Sequence, residues 1–196
     1  MERVTFDGAI HVIDSMLHVR AAVAALRSAE FVGFDTETRP SFKKGQVHKM
    51  ALMQLSTPDD CFLFRVNKIG VPDALSDYLS DANCLKVGLS LRDDFAKLHT
   101  VTGCVPQGFV DLQQLVGEYR IGEASLQKIY AILFGKKISK SQQLTNWEAP
   151  TLTVQQQNYA AIDAWACGKI YKYLTSGAFN PDDSPYKQEI IEDEKA

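Results

Sequence analysis

The sequence predicts one α/β domain, because strand-like and helix-like segments alternate along most of the chain. Its 196 residues match the usual length of a single domain, and 45% apolar residue types are enough to build a buried core. Charged residues make up 23%, and no apolar run approaches the ~18 residues of a membrane-spanning helix. These values argue against a disordered chain and against a membrane protein.

The first third of the sequence predicts a helix followed by three strands. Residues 16–29 are rich in alanine and have helical spacing, and residues 31–37 form an apolar strand that ends in charge. Residues 50–56 and 61–66 are apolar runs on either side of the turn formed by residues 57–60. They therefore predict a hairpin.

The rest of the chain alternates short strands with helices and ends in a long helix. Strands are predicted at residues 84–88 and 109–111. The long helix opens with a capping box formed by Thr153 and Gln156. The predicted helices are residues 72–80, 91–101, 112–119, 125–134 and 153–174.

The net charge of −3 is concentrated in the C-terminal segment. Residues 182–196 hold six acids and two lysines, a net charge of −4, which leaves +1 for residues 1–181. An acidic chain is a poor candidate for a nucleic-acid-binding protein, but a nearly neutral domain with basic loops is a better one. We therefore expect a domain at residues 1–178 and an acidic, flexible tail at residues 179–196.

The four cysteines lie 20 or more residues apart and form no C-x-x-C pair. This spacing argues against a zinc site and against a disulfide framework. No secretory signal is expected at the start of the chain. The sequence therefore predicts buried thiols and a cytoplasmic location.

Two carboxylates stand at the end of the strand predicted at residues 31–37. Asp35 and Glu37 are two residues apart, so they point to one face, at the strand end where open α/β sheets bind ligands. Like charges this close repel each other unless a cation or a proton lies between them. A solvated strand end that enters a loop is the alternative interpretation.

The third acid is Asp94, in the helix predicted at residues 91–101. A helical wheel places Asp94 with Leu91 and Leu98 on the apolar face, whereas Asp93 falls beside Lys97 as an exposed ion pair. A carboxylate that faces a core is costly unless it is paired, protonated or bound to a metal. Alternatively, Asp94 complements the dipole at the helix N-terminus.

The fourth acid is Asp163, which lies on an apolar stripe of the long helix with Tyr159 one turn earlier. The alternative interpretation is a buried hydrogen bond between Tyr159 and Asp163. Four acids with neither cysteine nor histidine form a ligand set that suits hard cations such as Mg²⁺ or Mn²⁺. Acid-rich sites with two such ions carry out phosphodiester chemistry.

At these residues the sequence resembles the DEDDy superfamily of 3′–5′ exonucleases, and it is most similar to the ribonuclease D and Werner-type branch. Three motifs occur in the family's order, and the third is preceded by the lead-in segments Asn146-Trp-Glu-Ala149 and Leu152-Thr-Val-Gln-Gln156. The motifs are Phe34-Asp-Thr-Glu-Thr38, Val87-Gly-Leu-Ser-Leu-Arg-Asp-Asp-Phe-Ala-Lys-Leu98 and Tyr159-Ala-Ala-Ile-Asp163.

The resemblance covers roughly residues 20–175 and implies a ribonuclease H-like fold, with a mixed five-stranded sheet flanked by helices and an antiparallel second strand. It implies that four acids hold two divalent metal ions, Mg²⁺ or Mn²⁺, and that a tyrosine orients the attacking water. The reaction would release nucleoside 5′-monophosphates from the 3′ end of DNA or RNA. The catalytic residues carried over in this way are Asp35, Glu37, Asp94, Tyr159 and Asp163.

In the second motif the choice lies between Asp93 and Asp94. The family places a leucine four residues after its acid, and Leu98 satisfies this for Asp94. The family often has asparagine or histidine ahead of this acid, where this chain has Ser90-Leu-Arg92. Asp94 is therefore the predicted ligand.

Two basic loops are predicted to follow the nucleic acid, one at residues 39–49 and one at residues 135–147. Basic groups combined with aromatic rings are typical of single-strand binding. Ordinary solvated surface is the alternative for the lysines, and core packing is the alternative for the tryptophan. A catalytically inactive nucleic-acid-binding module is the alternative for the whole chain. The predicted substrate-binding residues are Thr38, Arg39, Lys43, Lys44 and Trp147.

Overall fold

The computed structural model describes residues 1–183, which build a mixed sheet with helices on both faces. The strands lie in the order β1-β4-β3-β2-β5-β6 across the sheet. Of these six, β3 alone runs antiparallel to its neighbours β2 and β4. The strands are β1 (Ala9–Ile13), β2 (Phe31–Thr38), β3 (Met50–Ser56), β4 (Asp60–Phe64), β5 (Leu85–Gly88) and β6 (Phe109–Asp111).

The predicted mixed sheet with an antiparallel hairpin is confirmed, but residues 1–183 form six strands rather than five. The additional strand, β1, pairs in parallel with β4 at the edge of the sheet. His11 of β1 stacks on Phe62 with ring centroids 4.8 Å apart, and its Nε2 lies 2.7 Å from Oδ1 of Asp60. These partners lie about fifty residues further along the chain, so no local pattern indicates the pairing.

The helices follow the predicted order, except for a short helix at Val66–Ile69 that begins where the strand predicted at residues 61–66 was expected to end. The capping box at the start of α7 is confirmed, since Gln156 N donates to Thr153 Oγ1 at 3.1 Å and Thr153 N donates to Gln156 Oε1 at 3.0 Å. Within residues 1–183, no helix combines the length and the apolar character needed to cross a membrane. The helices are α1 (Val19–Arg27), α2 (Val66–Ile69), α3 (Asp73–Leu79), α4 (Leu91–Leu98), α5 (Leu112–Glu118), α6 (Leu126–Phe134) and α7 (Val154–Thr175).

The sheet separates two apolar cores. On one face, α1, α3 and α4 pack against side chains such as Val32 and Phe34 of β2. On the other face, α7 crosses the sheet, and α5 and α6 pack beside it around Val87 and Ile129. Functional groups at the carboxyl end of β2 can therefore be reached by α4 from one side and by α7 from the other.

The start of the predicted tail contacts the domain. Phe179 lies beside Tyr173 with ring centroids 6.2 Å apart, and Arg120 Nη1 donates to Asp182 Oδ1 at 2.8 Å. The rest of the predicted tail, residues 184–196, lies outside the described residues. The domain boundary at residue 178 therefore stays a prediction.

Candidate active site

Three of the predicted acids converge where α7 crosses the carboxyl end of β2. Asp35 and Glu37 point to the α7 face of β2, and Asp163 reaches them from the helix. Their carboxylate oxygens lie within 4.8 Å of one another. This closeness depends on Gly33, because a β-carbon there would lie 1.7 Å from the carbonyl oxygen of Ala164.

Asp94 approaches the same strand end from α4, on the opposite face of the sheet. Its side chain is half-buried and accepts a hydrogen bond from the Thr36 hydroxyl, whereas Asp93 is exposed. The predicted inward orientation of Asp94 is therefore confirmed. Asp94 does not belong to the group of three acids whose oxygens lie within 4.8 Å of one another.

The N-terminus of α4 is held by Asp111, a residue that the sequence analysis did not single out. Ser90 has a φ of 59° and makes no side-chain cap. Instead, the Asp111 carboxylate accepts from the backbone N–H of Ser90 at 3.0 Å and of Leu91 at 2.9 Å. It also accepts from Gln113 N at 2.9 Å in α5. One carboxylate thus caps two helices and positions the segment that carries Asp94.

Burial dominates the electrostatics of the four acids. It raises the pKa of Asp35 well above its ordinary value, and the neighbouring carboxylates Glu37, Asp163 and Asp94 add repulsion. Burial raises the pKa of Glu37 to about 8, of Asp163 to about 7 and of Asp94 to about 6. Near neutral pH this site therefore retains protons unless a cation compensates for the charge.

We expect the metal-free protein to lose stability as the pH rises from about 5 to about 8. Unfolded carboxyl groups release their protons near pH 4, whereas the folded site holds them up to the raised pKa values. Folding therefore takes up protons in this window, and a higher pH opposes folding. The measurement is the melting temperature in a chelator at several pH values, with Glu37→Gln expected to show a smaller decline. A melting temperature that rises through this window would contradict the prediction.

The ligand set fits a hard divalent cation. Asp35, Glu37 and Asp163 offer only carboxylate oxygens, and buried Oδ1 of Asp163 has no hydrogen-bond partner within residues 1–183. An unpaired oxygen beside two other carboxylates is available to a positive ion. The three carboxylates can therefore hold a divalent cation.

Lys97 also lies at this site, although the sequence analysis placed it in an exposed ion pair with Asp93. The ion pairs among residues 1–183 do not include Asp93 with Lys97. Lys97 instead lines the groove over the acids, and its charge opposes the raised pKa values of Glu37 and Asp94. The helical wheel placed Lys97 one turn from Asp93 but could not show that the sheet end lies next to it.

Tyr159 and Trp147 pack together beside the acids. Tyr159 is 8% exposed, and burial together with the nearby carboxylates raises the pKa of its hydroxyl. The hydroxyl lies near Asp163 and favours the ionised form of that carboxylate, whose Oδ1 has no hydrogen-bond partner within residues 1–183. Trp147 is 0% exposed, and its ring centroid lies 5.9 Å from that of Tyr159. Trp147 is enclosed in the core, which matches the alternative interpretation of core packing rather than the predicted contact with a substrate.

A groove of 520 Å³ lies over the acids and contains two of the predicted substrate-binding residues, Thr38 and Arg39. An adjoining groove of 380 Å³ shares Arg39 and also contains Lys43. Lys44 is exposed but lines neither groove. Sequence analysis missed Leu89 and Leu144, which line the larger groove with apolar surface.

The second basic loop is divided between two sides of the molecule. Lys140 is close enough to Asp163 to oppose the rise in its pKa. Lys136 forms an ion pair with Glu2 at 3.1 Å and lines a groove that does not contain the acids. Only part of this loop is therefore placed to contact a ligand at the site.

Sequence comparisons identify the family of the chain. A model of the 3′–5′ exonuclease family matches residues 10–177. A 3′–5′ exonuclease of Arabidopsis thaliana is 35% identical over 153 residues, which cover 74% of this chain and 52% of that protein. The bifunctional 3′–5′ exonuclease/ATP-dependent helicase WRN of Mus musculus is 31% identical over 76% of this chain and 11% of its own length. This chain therefore spans about half or less of these relatives.

Solved structures show the same fold. The EXO domain of Nibbler from Aedes aegypti superimposes with a TM-score of 0.78 at 24% identity, covering 91% of this chain and 96% of that domain. Ribonuclease D of Escherichia coli superimposes with a TM-score of 0.72 at 22% identity, covering 88% of this chain and 47% of the enzyme. Because the family match covers residues 10–177, from β1 to the end of α7, the chain belongs to the 3′–5′ exonuclease family.

Proposed function

We propose that this chain is a metal-dependent 3′–5′ exonuclease that removes nucleoside 5′-monophosphates one at a time from DNA or RNA. The observation that carries the proposal is the group of three carboxylates within 4.8 Å of one another, in a groove large enough for a nucleotide. Their raised pKa values support it, because such a site is stabilised by binding positive charge.

Asp35, Glu37 and Asp163 would hold Mg²⁺ or Mn²⁺, and Asp94 stands next to them to complete a site for two ions. Bound ions of this kind supply Lewis-acid stabilisation of a phosphodiester and lower the pKa of water. The carboxylates contribute by offering the ions a fixed, buried arrangement. Lys97 contributes positive charge at the rim of the groove, where a phosphate would enter.

Tyr159 would orient the attacking water. Because burial and the nearby acids raise the pKa of its hydroxyl, Tyr159 keeps its proton at neutral pH. It therefore acts as a hydrogen-bonding group rather than as a base. Its ring is held by Trp147, so the hydroxyl has a defined position beside Asp163.

The shape and charge of the two adjoining grooves favour a single strand that ends over the acids. Thr38 and the apolar groups of Leu89 and Leu144 would contact the terminal nucleotide. Phe42 is 80% exposed at the second groove, beside Lys43, and offers a ring on which a base can stack. Ribonuclease D of Trypanosoma brucei, which has the same fold, has been solved in complex with RNA U12.

The test is a cleavage assay with 5′-labelled single- and double-stranded DNA and RNA. We expect stepwise shortening from the 3′ end in Mg²⁺ or Mn²⁺, and none in a chelator. Ca²⁺ should bind but support little cleavage, because its longer and more flexible coordination does not reproduce the required geometry.

Asp35→Ala is the control for this assay, because it removes one carboxylate from the group of three. It should abolish the shortening. Endonucleolytic fragments, or activity that persists in the chelator, would contradict the proposal. Binding of nucleic acid without any metal-dependent cleavage would indicate an inactive module with the same fold.

A further inference from the structure

One polar side chain in the interior of the sheet has no role in the site described so far. Gln54 lies on β3, where its strand neighbours Met53 and Leu55 are apolar, and it is 0% exposed. Neither its Nε2 nor its Oε1 has a hydrogen-bond partner within residues 1–183. A buried amide without partners destabilises a protein, so its presence calls for a function.

The register of the sheet places Gln54 beside the acids. Gln54 stands directly opposite Asp35 in the antiparallel pair of β2 and β3. Directly opposed residues point to the same face, and Glu37 lies on that face two residues further along β2. The Gln54 amide is near enough to Glu37 to favour its ionised form, although the two groups do not meet in hydrogen-bond geometry.

Unlike Asp35 and Asp94, Glu37 accepts no regular hydrogen bond within residues 1–183. Asp35 accepts from the backbone N–H of Thr36 at 2.9 Å, and Asp94 accepts from the Thr36 hydroxyl. Asp163 has the Tyr159 hydroxyl beside it. The neutral side chain that favours the ionised form of Glu37 is the Gln54 amide, whose Nε2 has no hydrogen-bond partner within residues 1–183.

We propose that Gln54 is a positioning residue for metal binding. Its Nε2 donates a hydrogen bond to Glu37 when a divalent cation draws that carboxylate into place, and it thereby sets which oxygen faces the ion. Metal-binding carboxylates generally depend on such outer partners. This inference rests on the proposed function. It implies that the unpaired Gln54 amide lowers the stability of the metal-free protein and is retained because it contributes to metal binding.

The test compares Mn²⁺ affinity and stability in Gln54→Met, which removes the amide but keeps the length of the side chain. We expect Mn²⁺ binding ~10–100-fold weaker than in the wild type. We also expect the metal-free variant to melt at the same temperature or higher, because an apolar group replaces an unpaired amide. The measurements are a Mn²⁺ titration followed by the electron paramagnetic resonance of the free ion, and thermal unfolding in a chelator.

Ser56→Ala is the matched control, on the same strand and the same face. Ser56 is 3% exposed and donates to the carbonyl oxygen of Thr57 at 2.8 Å, so its loss should lower the melting temperature and leave Mn²⁺ affinity unchanged. If Gln54→Met binds Mn²⁺ as tightly as the wild type, the inference is wrong. Failure of the wild type itself to bind Mn²⁺ would instead overturn the proposed function, and the inference with it.

Discussion

Asp94→Asn will lower cleavage by ~100-fold or more, whereas Asp93→Asn will leave most of the activity, since even outer partners of a bound metal contribute ~10–100-fold. Asp94 is half-buried and accepts a hydrogen bond from the hydroxyl of Thr36, the residue between Asp35 and Glu37. Asp93 is exposed and forms no ion pair within residues 1–183. The measurement is the single-turnover rate of both variants at saturating Mn²⁺.

The two asparagine variants are matched, because each removes one negative charge from the same turn of α4. Asparagine at position 94 can still accept from Thr36, and the pKa of Asp94 is raised to about 6 by burial, so neutralisation should not unfold the protein. Melting temperatures close to that of the wild type are therefore expected. If Asp93→Asn is the inactive variant, the assignment of the second motif is wrong by one residue.

Tyr159→Phe will slow turnover by roughly 10–100-fold with little change in Mn²⁺ affinity. This is at or below the low end of the ~10²–10⁴-fold that a positioned acid–base group contributes, because Tyr159 keeps its proton and only orients the water. The substitution removes the hydroxyl but no carboxylate, and the phenylalanine ring keeps its place against Trp147. Asp163→Asn will instead weaken Mn²⁺ binding, because Asp163 is one of the three converging carboxylates. Single-turnover rates and Mn²⁺ affinity, measured on both variants, separate the two roles.

A purely structural role for the Tyr159 hydroxyl predicts a different result. If the hydroxyl served only as a buried partner of Asp163, Tyr159→Phe would keep the full rate and melt at a lower temperature. The raised pKa of Tyr159 adds a further test, because a hydroxyl that stays protonated should contribute no ionisation to the pH–rate profile near neutrality.

Much of the site was predictable because it depends on local periodicity. The two-residue spacing of Asp35 and Glu37 places them on one face of any strand, and the helical wheel places Asp94 inward. Asp163 is found buried in α7, as its apolar stripe predicted. The capping box at Thr153 likewise involves only contacts between neighbours in the sequence.

Features that depend on long-range contacts were not predictable in this way. The parallel pairing of β1 with β4 joins segments about fifty residues apart. Trp147 follows basic residues in the sequence, yet the fold encloses it against α7. Lys97 faces the acids only because α4 lies at the carboxyl end of β2.

The sequence by itself therefore determined the α/β class, the order of the elements that follow β1 apart from the short helix α2, and the face on which each acid lies. All of these follow from the two-residue and 3.6-residue periods of strands and helices. Only the tertiary structure showed how the acids are arranged. Asp35, Glu37 and Asp163 lie together, whereas Asp94 is outside this group and accepts a hydrogen bond from the Thr36 hydroxyl. The tertiary structure also decided that Gln54 lies among these acids, because strand register and helix crossing are set by packing between distant segments.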